Sequence, residues 1–129
     1  HELFHSVQFS YYNNHDARWW QEATSTYMED VLYPDINDYW QYLDPRWFNG
    51  TMFENPSKSL HFAGSSRDPH KYGAAVFCHY LDQAHPEHGA ASIRSTFDRQ
   101  KTEQSAAIDV IVDAIEEETS IWIGDLPLG

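Results

Sequence analysis

The stretch HELFHSVQFSYYNNHDARWWQEATSTYMEDVL, residues 1–32, decides how the rest of the chain is read. Leu3, Phe4, Val7 and Tyr11 recur at helical spacing, so a first helix is expected from His1 to about Tyr12. Asn13-Asn14-His15-Asp16 is a polar turn, and Asp16 is placed to cap a second helix from about Ala17 to Leu32. In that helix Trp19 or Trp20 shares a side with Ala23, Tyr27 and Val31, and Pro34 ends it. Two helices joined by so short a turn can run antiparallel.

Working outward, Asp35 is expected to cap a short aromatic helix from Ile36 to Leu43, closed by Asp44-Pro45. Residues 44–69 carry Asn-Gly, Asn-Pro, Ala-Gly-Ser-Ser and Asp-Pro signals and are expected to be a long irregular excursion lining a cleft. Within it Ser59-Leu60-His61-Phe62 reads as a short strand. Helices are expected again from about Pro69 to Gln83, Gly89 to Thr102 and Ser105 to Glu118. The last has an apolar stripe of Ala107, Val110, Ile111, Ala114 and Ile115. The fold class expected is mainly α.

The 129 residues suffice for one domain of ordinary size and are too few for two, so 1–129 is read as a single unit. An aromatic content of 16% argues for a packed core rather than a disordered segment. With 20 acidic and 8 basic residues the formal charge is −12, which disfavours binding to nucleic acid or anionic lipid. No apolar run approaches the roughly 20 residues needed to span a membrane. The single cysteine, Cys78, lies in the apolar run 74–78 and reads as a buried, inert thiol.

The chemistry is concentrated at the start. His1-Glu2-Leu3-Phe4-His5 matches the H-E-x-x-H pattern. Residues i and i+4 lie one turn apart on a helix face, so both imidazoles can reach one zinc ion. The glutamate at i+1 falls beside the ion, where it can take a proton from water. A tetrahedral catalytic zinc needs a third protein ligand and an open position, and Glu22, 17 residues after His5 on the second helix, fits.

The segment Trp19-Trp20-Gln21-Glu22-Ala23-Thr24-Ser25-Thr26-Tyr27-Met28-Glu29 resembles the W-x-x-E-(G/A)-x-x-x-(Y/W)-x-E segment of gluzincin metallopeptidases, the group of thermolysin and aminopeptidase N. His1-Glu2-Leu3-Phe4-His5-Ser6-Val7-Gln8 is similar to the H-E-(F/Y)-(F/W)-H-x-x-Q start of secreted bacterial and archaeal members. The resemblance is strong over 1–33 and looser over about 70–98. It implies that His1, His5 and Glu22 bind zinc, that Glu2 is the general base, and that a peptide or protein substrate is hydrolysed by metal-activated water. It also implies secretion, and a helical catalytic subdomain of an α+β enzyme whose upstream sheet, on the other wall of the cleft, is missing here. The chain opens on the first ligand, so it is read as an incomplete piece, weakly active or inactive alone, with any signal peptide upstream.

The looser segment, Asp68 to Phe77, looks like the Y-x-x-G or Y-G-A stretch that opens a later helix in these families, which points to Tyr72 as the oxyanion donor, with His70 as the alternative. Glu29, seven residues after Glu22, is either a partner that orients a ligand histidine or a surface carboxylate. Thr26 is either a similar partner or packing. Tyr39, Trp40, Tyr42, Trp47 and Phe48 read as core before cleft lining. His61, His79, His85 and His88 lack a ligand-like pattern, and Asn49-Gly50-Thr51 reads as a turn before a glycosylation site. The rival readings are a non-catalytic helical zinc-binding or interaction module and a zinc hydrolase of non-peptide bonds. Endopeptidase and aminopeptidase action are both open.

Overall fold

The computed structural model describes residues 1–120, and those residues are helical with no strand. Six α-helices follow in order: α1 (Glu2–Tyr11), α2 (Arg18–Leu32), α3 (His70–Gly73), α4 (Ala75–Ala84), α5 (Gly89–Glu103) and α6 (Ile108–Thr119). Short 3-10 turns cover His15–Ala17 and Asp38–Tyr42. The mainly α expectation holds, and no helix of the described residues is long and apolar enough to cross a membrane.

α2 is the centre of the arrangement. Its Trp19, Trp20, Ala23 and Tyr27 are buried with Ala75, Cys78 and Leu81 of α4, Ile93 and Phe97 of α5, and Ile111 and Ile115 of α6. Of the apolar stripe read for α6, Val110, Ile111, Ala114 and Ile115 are buried, while Ala107 precedes the helix and is exposed; apolar surface removed from water is the main stabilising term. Trp20 is fully buried, and its indole N–H donates to Thr96 Oγ1 at 2.7 Å, which fastens α2 to α5 and satisfies the one polar atom of the ring. Cys78 is buried as expected, and burial pushes its thiol far above the ordinary range.

Several local expectations are corrected. Asp16 does not cap α2. Asn14 accepts from the His15 amide, while Asp16 Oδ2 accepts from Ala106 N at 2.9 Å and so ties the α1–α2 turn to the α5–α6 connection. The 38–42 turn is led by Asn37 in the left-handed region (φ 52°), not capped by Asp35. The single helix expected over 69–83 is two, α3 and α4, divided at Ala74. Ser59-Leu60-His61-Phe62 forms a turn closed by Phe62 N–H on Ser59 O, with no strand among the described residues to pair with it.

The excursion over 44–69 is irregular as expected, and side chains hold it together. Glu54 Oε2 accepts from the amides of Gly50 and Thr51, with Gly50 at φ +81° supplying the left-handed turn. Lys71 is buried, and its ammonium donates to the carbonyls of Ser65 (2.7 Å) and Asp68 (3.0 Å). Trp40 and Trp47 are exposed, at 59% and 73%, so the core expectation fails for them. The core is filled by α2, α4, α5 and α6, and the aromatics of the excursion remain on its surface.

Candidate functional site

α1 meets α2 along a polar seam, and the candidate site is at one end of it. The His1 and His5 rings pack edge to face with centroids 4.7 Å apart, as the i, i+4 spacing requires. Glu22, on the facing side of α2, brings a single oxygen to both: Oε2 lies 2.8 Å from His1 Nε2 and 3.4 Å from His5 Nε2. The antiparallel pairing read from the sequence therefore brings the three expected ligands together.

The other ring nitrogens are also engaged. His1 Nδ1 lies 2.5 Å from Glu29 Oε1, so Glu29 is the orienting partner rather than a surface carboxylate. His5 Nδ1–H donates to Gln8 Oε1 at 2.7 Å, with Ser25 Oγ 3.2 Å away. Gln8 is itself fully buried. Its amide N–H₂ donates to Gln21 O and Thr24 Oγ1, which fixes the amide orientation and leaves Oε1 for His5. Sequence reasoning quoted Gln8 without giving it a role, and Ser25 had none. The legible signal was that Gln8 stands three residues after His5, on the same helix face. Thr26 is buried with its hydroxyl unpartnered, so it packs and orients nothing.

Electrostatics follow from the geometry. The Glu22 hydrogen bond raises the His1 pKa, against burial that lowers it and with Glu29 adding to the rise. Burial pushes the Glu22 carboxyl up, but its hydrogen bond to His1 and the charges of His5, His1 and Lys71 outweigh this and hold it below the usual range. Glu2 is exposed on the solvent side, and its carboxylate lies within 4.8 Å of both histidines. Two carboxylates, Glu2 and Glu22, thus stand within reach of both imidazoles. Glu22 is the better placed, because one of its oxygens already touches both Nε2 atoms and its surroundings keep it ionised.

Tyr72, at the end of α3, lies 6.1 Å from the His1 ring and stacks on Tyr42 at 4.7 Å. Burial raises its phenol, with Glu22 adding to the rise, and Tyr42 is pushed up to about 12. The alternative donor, His70, is turned away. It is buried, and its Nε2–H donates to Ser59 O at 2.9 Å. His79 faces Asp30 and the rings of Tyr27 and Tyr39 on another side of α2 and takes no part.

Two lobes of one open cleft flank the His1–Tyr72 pair. The first, of about 480 Å³, runs past His5 and Glu22 to Asn13, Asn14 and Arg18. The second, of about 700 Å³, is lined by Glu29, Asp38, Tyr42, Phe48 and Arg67. Tyr42 and Phe48 therefore line the cleft, against the core expectation. Two imidazole nitrogens, one ionised carboxylate oxygen and an open solvent side form a donor set suited to a divalent cation of borderline softness. No known protein family, curated protein or solved structure matches the chain.

Proposed function

We propose that the chain carries the active centre of a zinc-dependent peptidase, with His1, His5 and Glu22 holding the ion. The observation that carries this reading is the meeting of both Nε2 atoms on one Glu22 oxygen, while each Nδ1 is engaged elsewhere. A neutral His5, its Nδ1–H given to Gln8, would present a lone pair at Nε2, and an ionised Glu22 presents only lone pairs. Acceptors aimed at one another in this way are stable around a cation. Ligand atoms about 2.0–2.1 Å from a tetrahedral zinc lie about 3.3 Å apart. The His5–Glu22 separation of 3.4 Å fits, and the His1–Glu22 separation of 2.8 Å would have to widen.

Zinc, when bound, supplies the Lewis acidity that polarises a scissile carbonyl and acidifies water. Glu2 accepts the proton from water at its exposed carboxylate and passes it to the leaving amine. Tyr72, kept protonated by its surroundings, donates its O–H to the oxygen on which charge develops. Gln8, Ser25 and Glu29 hold the histidine rings in register for this work.

One observation favours a non-catalytic helical module instead. His1 has a carboxylate on each nitrogen, which a doubly protonated imidazolium satisfies without metal. Turnover decides between the readings. The protein, loaded with zinc, is expected to cleave internally quenched peptides. Glu2→Gln is expected to retain zinc and lose about 10²–10⁴ in kcat. Hydrolysis of esters but not peptides would move the assignment to a non-peptide hydrolase, and zinc loading without any hydrolysis would leave the non-catalytic module.

A further inference from the structure

Every basic side chain but two has a partner among the described residues. Arg46 pairs with Asp44, Lys58 with Asp68, Arg94 with Asp98, and Arg99 with Glu103 and Glu117. Lys71 is held by two backbone carbonyls, and Lys101 lies over the Tyr11 ring. Arg18 and Arg67 are the exceptions, and each lines one lobe of the cleft beside His1 and Tyr72. In a chain with 20 acidic and 8 basic residues, a guanidinium with no carboxylate partner is the uncommon case.

The lobes differ in what surrounds the guanidinium. Arg67 shares its lobe with Asp38 as well as with Glu2 and the His1-bound Glu29, and with the Tyr42 and Phe48 rings. Arg18 shares its lobe with the Asn13 and Asn14 amides, and the only carboxylates there, Glu2 and Glu22, belong to the histidine cluster. Glu22 has its Oε2 against His1 and His5 and makes no ion pair with Arg18, although the two stand at i and i+4 on α2. Arg18 is thus left facing the cleft. It lies about 6 Å along the helix from Glu22, the span of about two residues of extended peptide.

Resting on the peptidase reading, we propose that Arg18 receives a carboxylate of the peptide substrate, within about two residues of the bond to be cut. The guanidinium fork matches a carboxylate with two parallel N–H···O bonds, which gives orientation as well as charge. That carboxylate is either the terminus of a short peptide or an Asp or Glu side chain. In both cases Arg18 sets specificity and the aromatic wall of the Arg67 lobe takes the other side of the bond.

Calorimetric titration of the metal-free chain with three probes tests this. The probes are N-acetyl-alanyl-alanine as the free acid, N-acetyl-glutamyl-alaninamide, and the neutral N-acetyl-alanyl-alaninamide. Without metal no carboxylate can ligate an ion, and binding is read independently of turnover. At least one acid is expected to bind about tenfold or more tightly than the neutral amide. That gap is expected to vanish in Arg18→Ala, to survive in part in Arg18→Lys, and to be unchanged in Arg67→Ala. Preference for the free acid identifies a terminal carboxylate, and preference for the glutamyl probe a side chain. Equal binding of all three probes, binding of none, or a gap that survives Arg18→Ala overturns the proposal. A protein that binds the acids through Arg18 yet cleaves no peptide would keep this inference and remove the peptidase reading.

Discussion

α2 has two working faces, and they are built on opposite rules. Toward α4, α5 and α6 it buries Trp20, Ala23 and Tyr27 against Leu81, Ile93, Phe97, Ile111 and Ile115, an apolar packing with one satisfied indole N–H. Toward α1 it buries Gln21, Thr24 and Ser25 against Gln8 and the histidines, in a seam held by directed hydrogen bonds. The first face stabilises in proportion to apolar area. The second contributes little net energy per bond, since each replaces a bond to water, but it fixes where each atom points. A surface that has only to hold can be greasy; one that has to aim two imidazoles is polar.

The contrast can be broken from either side. Ile115→Ala, at a fully buried position, is expected to cost about 2–5 kcal/mol in chemical denaturation while leaving zinc affinity unchanged. A large loss of zinc affinity in the folded variant would mean the two faces are coupled. Gln8→Ala is expected to do the reverse. It frees His5 Nδ1 and leaves Thr24 and Gln21 without their donor, so stability falls by about 1–3 kcal/mol and zinc affinity by about 10–100-fold. Unchanged affinity in that variant would reduce Gln8 to packing.

A smaller effect separates the metal-bound from the metal-free site by sign. The folded-state pKa of His1 is raised, so without metal its pairing with Glu22 stabilises fully below the unfolded value. That contribution is lost as pH rises through the raised one. Glu22 is depressed, so its contribution is present above its unfolded value and is lost as pH falls through the folded one. The metal-free clamp is therefore strongest in mild acid. Zinc needs a deprotonated His1, and its affinity is expected to rise as pH passes upward through the His1 value. Affinity that is flat with pH across that range would mean His1 is not a ligand.

Much of this was legible in the sequence, for physical reasons that also mark where reading stops. The α6 stripe and the Trp20-Ala23-Tyr27 side were visible because a buried helix face repeats every three to four residues. His1, His5 and Glu22 were visible because a site for a shared metal ion would force residue type and spacing together. Leu3 and Val7 mark where the reading stops. They share the helical spacing of Phe4 and Tyr11, but those two pack on Phe97 while Leu3 and Val7 face solvent among the described residues, at 82% and 50% exposed. Periodicity gives a stripe, and only tertiary packing says which half of it is covered. Lys71 was not legible at all, since nothing local announces that a lysine will be buried on the carbonyls of Ser65 and Asp68. Arg18 was legible in principle, four residues before Glu22, but its lack of a partner is a property of the fold.

The central claim is that α1 and α2 converge on one metal ion. Elemental analysis of the purified, folded chain beside His5→Ala and Glu22→Ala tests it most directly. The account predicts one zinc per chain, lost or sharply weakened in both variants. A folded chain that takes up no zinc when the metal is supplied, or a Glu22→Ala variant that holds it as tightly as the parent, would contradict it.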